Sequence, residues 1–241
     1  MLRIYVPTHG RPDMQRTADA LEAAGLDHEL VSCEPVRETS RGKLRLLPQF
    51  VGIMEKRQWI LDDAGSGKIV MLDDDLSFKR RRADGGFSAC TSKDVAEMFA
   101  EIDVLLDTWA HVGIVDQFLC NVKPRGLLHR GKYSNVLGYN LDMMARPRPR
   151  FRLELCEEQD FNLQLQDRGL EPAVSCEWSK TQASRVAGGC SSERTVALQD
   201  SVNRRFHAYW PNLVTLREKV RPGIENVGYK VAWRKALRCI S

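Results

Sequence analysis

Three consecutive carboxylates, Asp73, Asp74 and Asp75, follow the uninterrupted apolar run Ile69-Val-Met-Leu72. A short apolar run bounded by polar residues suits a strand buried on both faces of a parallel sheet. Ligands of open α/β sheets sit beyond the carboxyl ends of the strands, where these aspartates fall. Side chains alternate along a strand, so Asp73 and Asp75 share one side if the extended geometry persists. Neighbouring carboxylates repel, and their ionisation is costly unless a cation or hydrogen-bond donors compensate it. Mg²⁺ or Mn²⁺, hard ions that take oxygen ligands, suit that task, especially where phosphates complete the shell. The competing reading is a solvated acidic turn.

Two further stretches carry chemistry-capable residues. Pro7-Thr8-His9-Gly10-Arg11-Pro12 follows a first strand over Arg3 to Val6. A polar loop there, feeding a helix amino terminus, can receive a nucleotide. It matches neither GxGxxG nor GxxxxGK[ST], so it is not an ordinary dinucleotide or P-loop site. Glu154 to Gly169 opens with acids, sets Phe161 and Leu165 one turn apart and stops at Gly169. Acids at a helix start also favour the macrodipole, which by itself accounts for many such runs.

Two basic clusters flank these stretches in sequence. Lys79-Arg80-Arg81-Arg82 follows the aspartates, and Arg146, Arg148, Arg150 and Arg152 precede the second acidic stretch. Arginines on both sides of one site could contact DNA phosphates with little sequence preference. The competing reading is a pair of solvated loops.

The elements that must position these residues follow from the hydrophobic pattern. After the first strand, a helix from about Asp13 carries Met14, Thr17, Ala18 and Leu21 on one face, and Gly25 ends it. Glu29 to Ser32 reads as a second strand and 33–48 as irregular. Gln49 to Asp63 fits a helix with Ile53, Met54, Ile60 and Leu61 at core spacing, Lys56 and Arg57 lying off that set. Ala83-Asp-Gly-Gly-Phe87 reads as a mobile loop. Ser92 can cap a long helix with a core stripe from Val95 through Met98, Phe99 and Ile102 to Trp109. Strands are expected over Gly113–Val115, Asn135–Leu141 and Ala173–Glu177, a helix bearing Val196 and Phe206, and a strand-like tail over Gly228–Trp233. The expected fold is α/β: a Rossmannoid mixed sheet flanked by helices over 1–210, with an extension over 211–241 packing on or beside it.

Composition sets outer bounds. In 241 residues, 43% hydrophobic and 28% charged content is that of a globular protein. Seven scattered cysteines without a CxxC pair support neither a zinc site nor a disulfide framework. The polar amino terminus offers no signal-peptide core, and no run reaches the roughly 18 apolar residues a membrane span needs. A soluble cytoplasmic protein with free thiols is expected. Net charge of +4 permits a polyanionic partner without demanding one.

Taken together, Pro7-Thr8-x-Gly10-Arg11, the aspartates at a strand end and Glu157-Glu-Gln-Asp-Phe-x-Leu-x-Leu165 resemble a GT-A-fold glycosyltransferase. The last motif looks like that family's acidic helix start, with Glu158 where an aspartate is usual. Gly52-Ile-Met-Glu-Lys-Arg-Gln-Trp-Ile60 with Met71-Leu-Asp-Asp-Asp-Leu76 resembles, more narrowly, the TET/JBP-associated glycosyltransferases of phages and kinetoplastids. The resemblance implies a nucleotide-sugar donor, a UDP-sugar above all, and transfer to a hydroxymethylated pyrimidine of DNA in a phage-infected bacterial cytoplasm. It also implies Mn²⁺ or Mg²⁺. By that pattern Thr8, Gly10 and Arg11 line the donor pocket, Arg57 approaches the donor, and Asp73 with Asp74 meets the ribose or sugar. Asp75, with Asp73, would hold the metal. Glu158, or Asp160 if the register slips, would be the base for an acceptor hydroxyl in an inverting reaction. A late histidine or cation at the diphosphate is also implied, with His207 (a third metal candidate), Gly189 and Arg194 as candidates. Arg80, Arg81, Arg82, Arg148 and Arg150 would meet DNA, whose target base would be flipped out to react.

Other readings are a glycosyltransferase acting on a saccharide, lipid-linked or protein acceptor, and a nucleic-acid-binding module with a decayed site. A nucleotidyltransferase lacks its glycine-rich, lysine-bearing first loop here.

Overall fold

The structure is a computed structural model that describes residues 1–241 apart from 12, 14, 49–51, 117–124, 130–131, 183–194, 222–223 and 237–241. In chain order the elements begin with β1 (Arg3–Pro7), α1 (Arg16–Ala23), β2 (His28–Ser32), β3 (Gly42–Leu46), α2 (Ile53–Ala64) and β4 (Lys68–Leu72). They continue through β5 (Leu76–Arg81), β6 (Phe87–Ala89), α3 (Ser92–Leu105), β7 (His111–Asp116), β8 (Leu127–Leu128) and β9 (Val136–Asn140). The last are α4 (Glu157–Asp167), β10 (Pro172–Gln182), α5 (Val196–Tyr209), β11 (Val214–Arg221), β12 (Ile224–Val231) and α6 (Trp233–Ala236).

One mixed sheet runs β3-β2-β1-β4-β9-β7-β10-β5-β6, with β8 against β10. Strands β1 to β4 are mutually parallel, and β7 and β10 share their direction, whereas β9, β5 and β8 run against them. The carboxyl ends of β1, β4, β7 and β10 therefore meet the amino ends of β9 and β5 along one sheet edge.

Helices cover both faces, and the strands alternate between them. Ile69 and Met71 of β4 join Tyr5 of β1, Ile60 and Leu61 of α2, and Phe161 and Leu165 of α4. Val70 and Leu72 join Ile4, Val6, Leu21 of α1 and Met98, Phe99 and Ile102 of α3. Burial of β4 on both faces is why its sequence reads as an unbroken apolar run. A third cluster joins Leu153, Leu155 and Leu163 to Val202 and Phe206 of α5 and to Leu213 and Val214 of the β11–β12 hairpin.

Three expectations change. The stretch 33–48 contains β3, hidden because this edge strand leaves Lys43, Arg45 and Leu46 exposed and so lacks an apolar signature. Leu76 to Arg81, read without a strand, form β5, hairpinned to β6 across the expected loop, with Phe78 and Arg81 turned inward. The cap of α3 is Thr91, not Ser92; Thr91 and Asp94 exchange hydrogen bonds in a capping box.

Candidate active site

The shared sheet edge gathers Thr8 after β1, Asp73, Asp74 and Asp75 between β4 and β5, Asp116 ending β7, Asn135 before β9, and Gln182 ending β10. Alternation along β4 divides the aspartates. Asp74 faces α1, accepting from Thr8 Oγ1 at 2.7 Å and from Arg11 Nη1 at 2.5 Å. Arg11 Nη1 also lies 3.0 Å from Asp75 Oδ2. The turn is pinned by α1: Thr17 N donates to Asp74 O at 3.1 Å, and Thr17 Oγ1 to Asp73 O at 2.5 Å. Gly10, at φ 64°, donates its N–H to Glu34.

Asp73 faces α2 and α4, towards Arg57. Its guanidinium, 2% exposed, sits 2.6 Å from Asp73, 2.5 Å from Glu157 and 2.9 Å from Glu158. Burial opposes a charged guanidinium, but Glu158, Glu157 and Asp73 outweigh it and raise the Arg57 pKa. The first turn of α2 also directs Lys56 Nζ to Thr8 O at 2.7 Å.

Asn135 joins the two acidic stretches. Its backbone lies in the left-handed region at φ 63°, which asparagine tolerates better than most residues. Its N–H donates to Glu158 Oε1 at 2.8 Å, its side-chain amide donates to Asp73 Oδ2 at 2.5 Å, and its carbonyl accepts from Asp73 N at 3.1 Å. Its Oδ1 accepts from Lys180 Nζ at 2.6 Å, and Lys180 also pairs with Asp116. Beneath this turn, the ring of Tyr133 packs on Gly113, where a Cβ would come within 2.3 Å of it.

Five carboxyl groups thus face two guanidiniums, Arg11 and Arg57. Burial pushes Asp74 and Asp75 above the ordinary aspartate range, with Arg11 opposing it. Burial raises Glu157 to about 7 against the pull of Arg57, with Glu158 and Asp73 adding to the rise. Gln182 Nε2 reaches Asp73 Oδ2 at 2.9 Å and Asp75 Oδ1 at 3.3 Å, so oxygens of two carboxylates converge on one point. Each of these two carboxylates already meets one guanidinium, but five carboxyl groups against two guanidiniums leave the cluster short of positive charge, which fits a Mg²⁺ or Mn²⁺ ion whose shell is completed by phosphates and water. No group of three or more metal-ligating side chains occurs among the described residues.

Several sequence expectations land elsewhere. Asp160, fully buried, accepts from Arg152, Gln164 and Trp210 and faces the third core cluster, so it braces α4 rather than the aspartates. His207 sits against the carboxyl-terminal hairpin, its Nδ1 at 2.6 Å from Val214 O, rather than beside Asp75. Gly189 and Arg194 lie outside the described residues.

The two basic clusters do not flank the site. Strand β5 leads away from the aspartates, so Arg80 pairs with Asp94 and Glu97 of α3, and Arg81 donates to Cys176 O. Arg82 pairs with Asp84. Arg148 donates to Gly65 O, at the opposite end of β4 from the aspartates, and Arg150 lies 4.0 Å from Asp62 of α2.

Residues that sequence reasoning passed over are Lys56, Asn135, Lys180 and Gln182. The placement of Lys56 and Arg57 off the core face of α2 is also corrected: Arg57 lies four residues after Ile53 and three before Ile60, and the structure buries both cations.

The model of one family, described as TET-associated glycosyltransferase, matches residues 2–189. No curated protein matches the chain. Among solved structures, a CMP:2-keto-3-deoxy-manno-octonic acid synthetase complexed with CTP is 10% identical at TM-score 0.42, over 72% of this chain and 88% of that one. A mannose-1-phosphate geranyltransferase from Thermus thermophilus is 10% identical at TM-score 0.40, over 75% of each chain. A putative glucose-1-phosphate thymidylyltransferase from Bacillus anthracis, in complex with a sucrose, is 9% identical at TM-score 0.39, over 88% and 96%.

Proposed function

The chain belongs to the TET-associated glycosyltransferase family, and from that premise we propose that it moves a sugar from a nucleotide-sugar donor, a UDP-sugar, to the hydroxyl of a 5-hydroxymethylpyrimidine in DNA. The observation that carries this reading is the convergence of Asp73 with Glu157 and Glu158 around Arg57, beside Asp74 and Asp75 on Arg11. In this reading a diphosphate-side carboxylate, Asp73, and an acceptor-side carboxylate, Glu158, share one buried cation.

Asp75 and Asp73 would hold a Mg²⁺ or Mn²⁺ ion, which when bound offsets the charge that develops on the leaving diphosphate. Thr8, Gly10 and Arg11 frame the donor side. Glu158 takes the acceptor hydroxyl proton as that oxygen attacks the anomeric carbon, a direct displacement that inverts the centre. Asn135 and Arg57 hold Glu158 in place for that transfer. Arg57 also restrains Asp73, so donor and acceptor sides are set by the same group.

The test is mass spectrometry of nucleosides after reaction with hydroxymethylcytosine or hydroxymethyluracil DNA, a panel of nucleotide sugars and Mn²⁺ or Mg²⁺. A hexose-sized gain on one base, lost on chelation, is the expected result. Donor hydrolysis without that gain would move the acceptor to a saccharide or a protein. Neither gain nor hydrolysis across the panel would favour a non-catalytic nucleic-acid-binding module.

A further inference from the structure

The chain's excess positive charge resides in its last segment. Residues 211–241 hold seven Lys or Arg against two Glu, a net +5, whereas the whole chain carries +4, leaving −1 for residues 1–210. This segment lies outside the stretch that matches the family model, 2–189.

The β11–β12 hairpin displays part of that charge on one face. Thr215 stands opposite Lys230 and Arg217 opposite Gly228. Residues two apart share a side, so Arg217 and Lys230 are diagonal neighbours on one surface. Leu216, Tyr229 and Val231 take the other face, towards α5, where the rings of Tyr229 and Phe206 meet at 5.2 Å. Arg217 and Lys230 are exposed, as is Arg234 just beyond β12.

The hairpin is also tied to the site. Gln159, the neighbour of Glu158, donates from Nε2 to Tyr229 Oη at 2.6 Å. Asn203 Nδ2 donates to Val227 O at 2.5 Å, and Val227 N donates to Asp200 at 2.8 Å. A cationic face is therefore held by a ladder that touches the first turn of α4. Of the arginines first expected to meet DNA, Arg80 and Arg82 are paired with acids, and Arg81 and Arg148 with carbonyls.

We propose that the outer face of the β11–β12 hairpin, through Arg217 and Lys230, together with Arg234 of the adjoining α6, docks the phosphate backbone of the DNA acceptor. This rests on the glycosyl-transfer reading of the neighbouring site. Exposed cations on a fixed ladder suit phosphates, because the attraction is independent of sequence and releases condensed counterions. The surface fixes where the duplex lies, and the site around Glu158 then receives the modified base.

The experiment titrates the full chain and an Arg217→Gln/Lys230→Gln/Arg234→Gln variant onto a labelled duplex bearing 5-hydroxymethylpyrimidines, across a salt series. The slope of log affinity against log salt should become shallower by about 2–3, near 0.9 for each phosphate no longer neutralised. Arg217→Lys/Arg234→Lys should keep the wild-type slope, and so should Arg80→Gln/Arg150→Gln. An unchanged slope in the triple variant, or no duplex binding by the wild type, overturns the proposal. Loss of adsorption to phosphatidylserine vesicles with an intact duplex slope also overturns it, in favour of an anionic lipid surface. Transfer to the free hydroxymethylated nucleoside reads the site separately. A shallower slope with no transfer to nucleoside or DNA keeps the surface and removes the site reading. Transfer by both proteins with equal slopes keeps the site and removes the surface.

Discussion

Arg57 Nη2 and Glu158 Oε1 stand 2.9 Å apart, joining the amino-terminal half of α2 to the first turn of α4 across the end of the sheet. That guanidinium also holds Asp73 and Glu157, so a single cation of α2 balances carboxylates drawn from two places, the turn after β4 and the start of α4. Removing one partner of a buried ionic group leaves uncompensated charge, which costs more than the pair gained.

Arg57→Met should therefore lower unfolding stability by about 3–5 kcal/mol at neutral pH. Arg57→Lys keeps the charge but loses the planar fork that reaches several carboxylates at once, and should fall between the two. Urea titration of the three proteins checks the order.

Asp75→Asn should leave the fold intact, because burial already disfavours its charge. Transfer should fall by about 10²-fold or more, from loss of electrostatic stabilisation of the leaving group. Turnover at the wild-type rate, measured with saturating Mn²⁺, would sink the metal role of this residue.

Glu158 and Asp160 should separate cleanly. Glu158→Gln should cut kcat by about 10²–10⁴-fold, the usual range for a general base, with little loss of stability. Asp160→Asn should cost about 2 kcal/mol of stability through its charge-assisted bonds to Arg152 and Trp210, while transfer persists below the melting temperature. Paired melting curves and rate assays decide it.

Glu157 gives a pH signature. Burial holds its pKa near 7, above the ordinary 4.5, so the fold retains its proton where the unfolded chain has lost it. Its contribution to stability is fully present below pH 4.5 and is lost as pH rises through about 7. Glu157→Gln, neutral throughout, should flatten that fall between those two values, read as unfolding free energy across the interval. An identical slope in wild type and variant would show that Glu157 does not titrate there.

Asn135 should tolerate glycine better than alanine. Both substitutions remove the amide that meets Asp73, but alanine adds the cost of a left-handed backbone, about 1 kcal/mol. Both should lower transfer, and only alanine should lower the melting temperature markedly.

Much of this arrangement was legible in the residues. The apolar run of β4 and its acidic end marked the working edge, because burial on both faces leaves an unambiguous pattern. The core stripe of α3 was equally plain, since Val95, Met98, Phe99 and Ile102 all turn inward. What stayed hidden depends on partners distant in sequence. Lys180 and Gln182 gain their place only because β10 lies between β7 and β5, and Asn135 only because its turn adopts a left-handed backbone. The arginine clusters misled for the same reason: proximity in sequence to Asp75 or Glu157 says nothing of direction, and β5 carries Arg80 and Arg81 away from the edge.

The third core cluster bears on what can be cut from this chain. Leu153, Leu155 and Leu163, which surround the acidic first turn of α4, are covered by Val202, Phe206, Leu213 and Val214. A truncation ending at residue 189, where the family match stops, would leave those leucines wet and the helix that bears Glu158 half-clad. The end of the family match and the end of the core that covers α4 fall at different places. A swap of the carboxyl-terminal segment between relatives must therefore carry its matching leucines along.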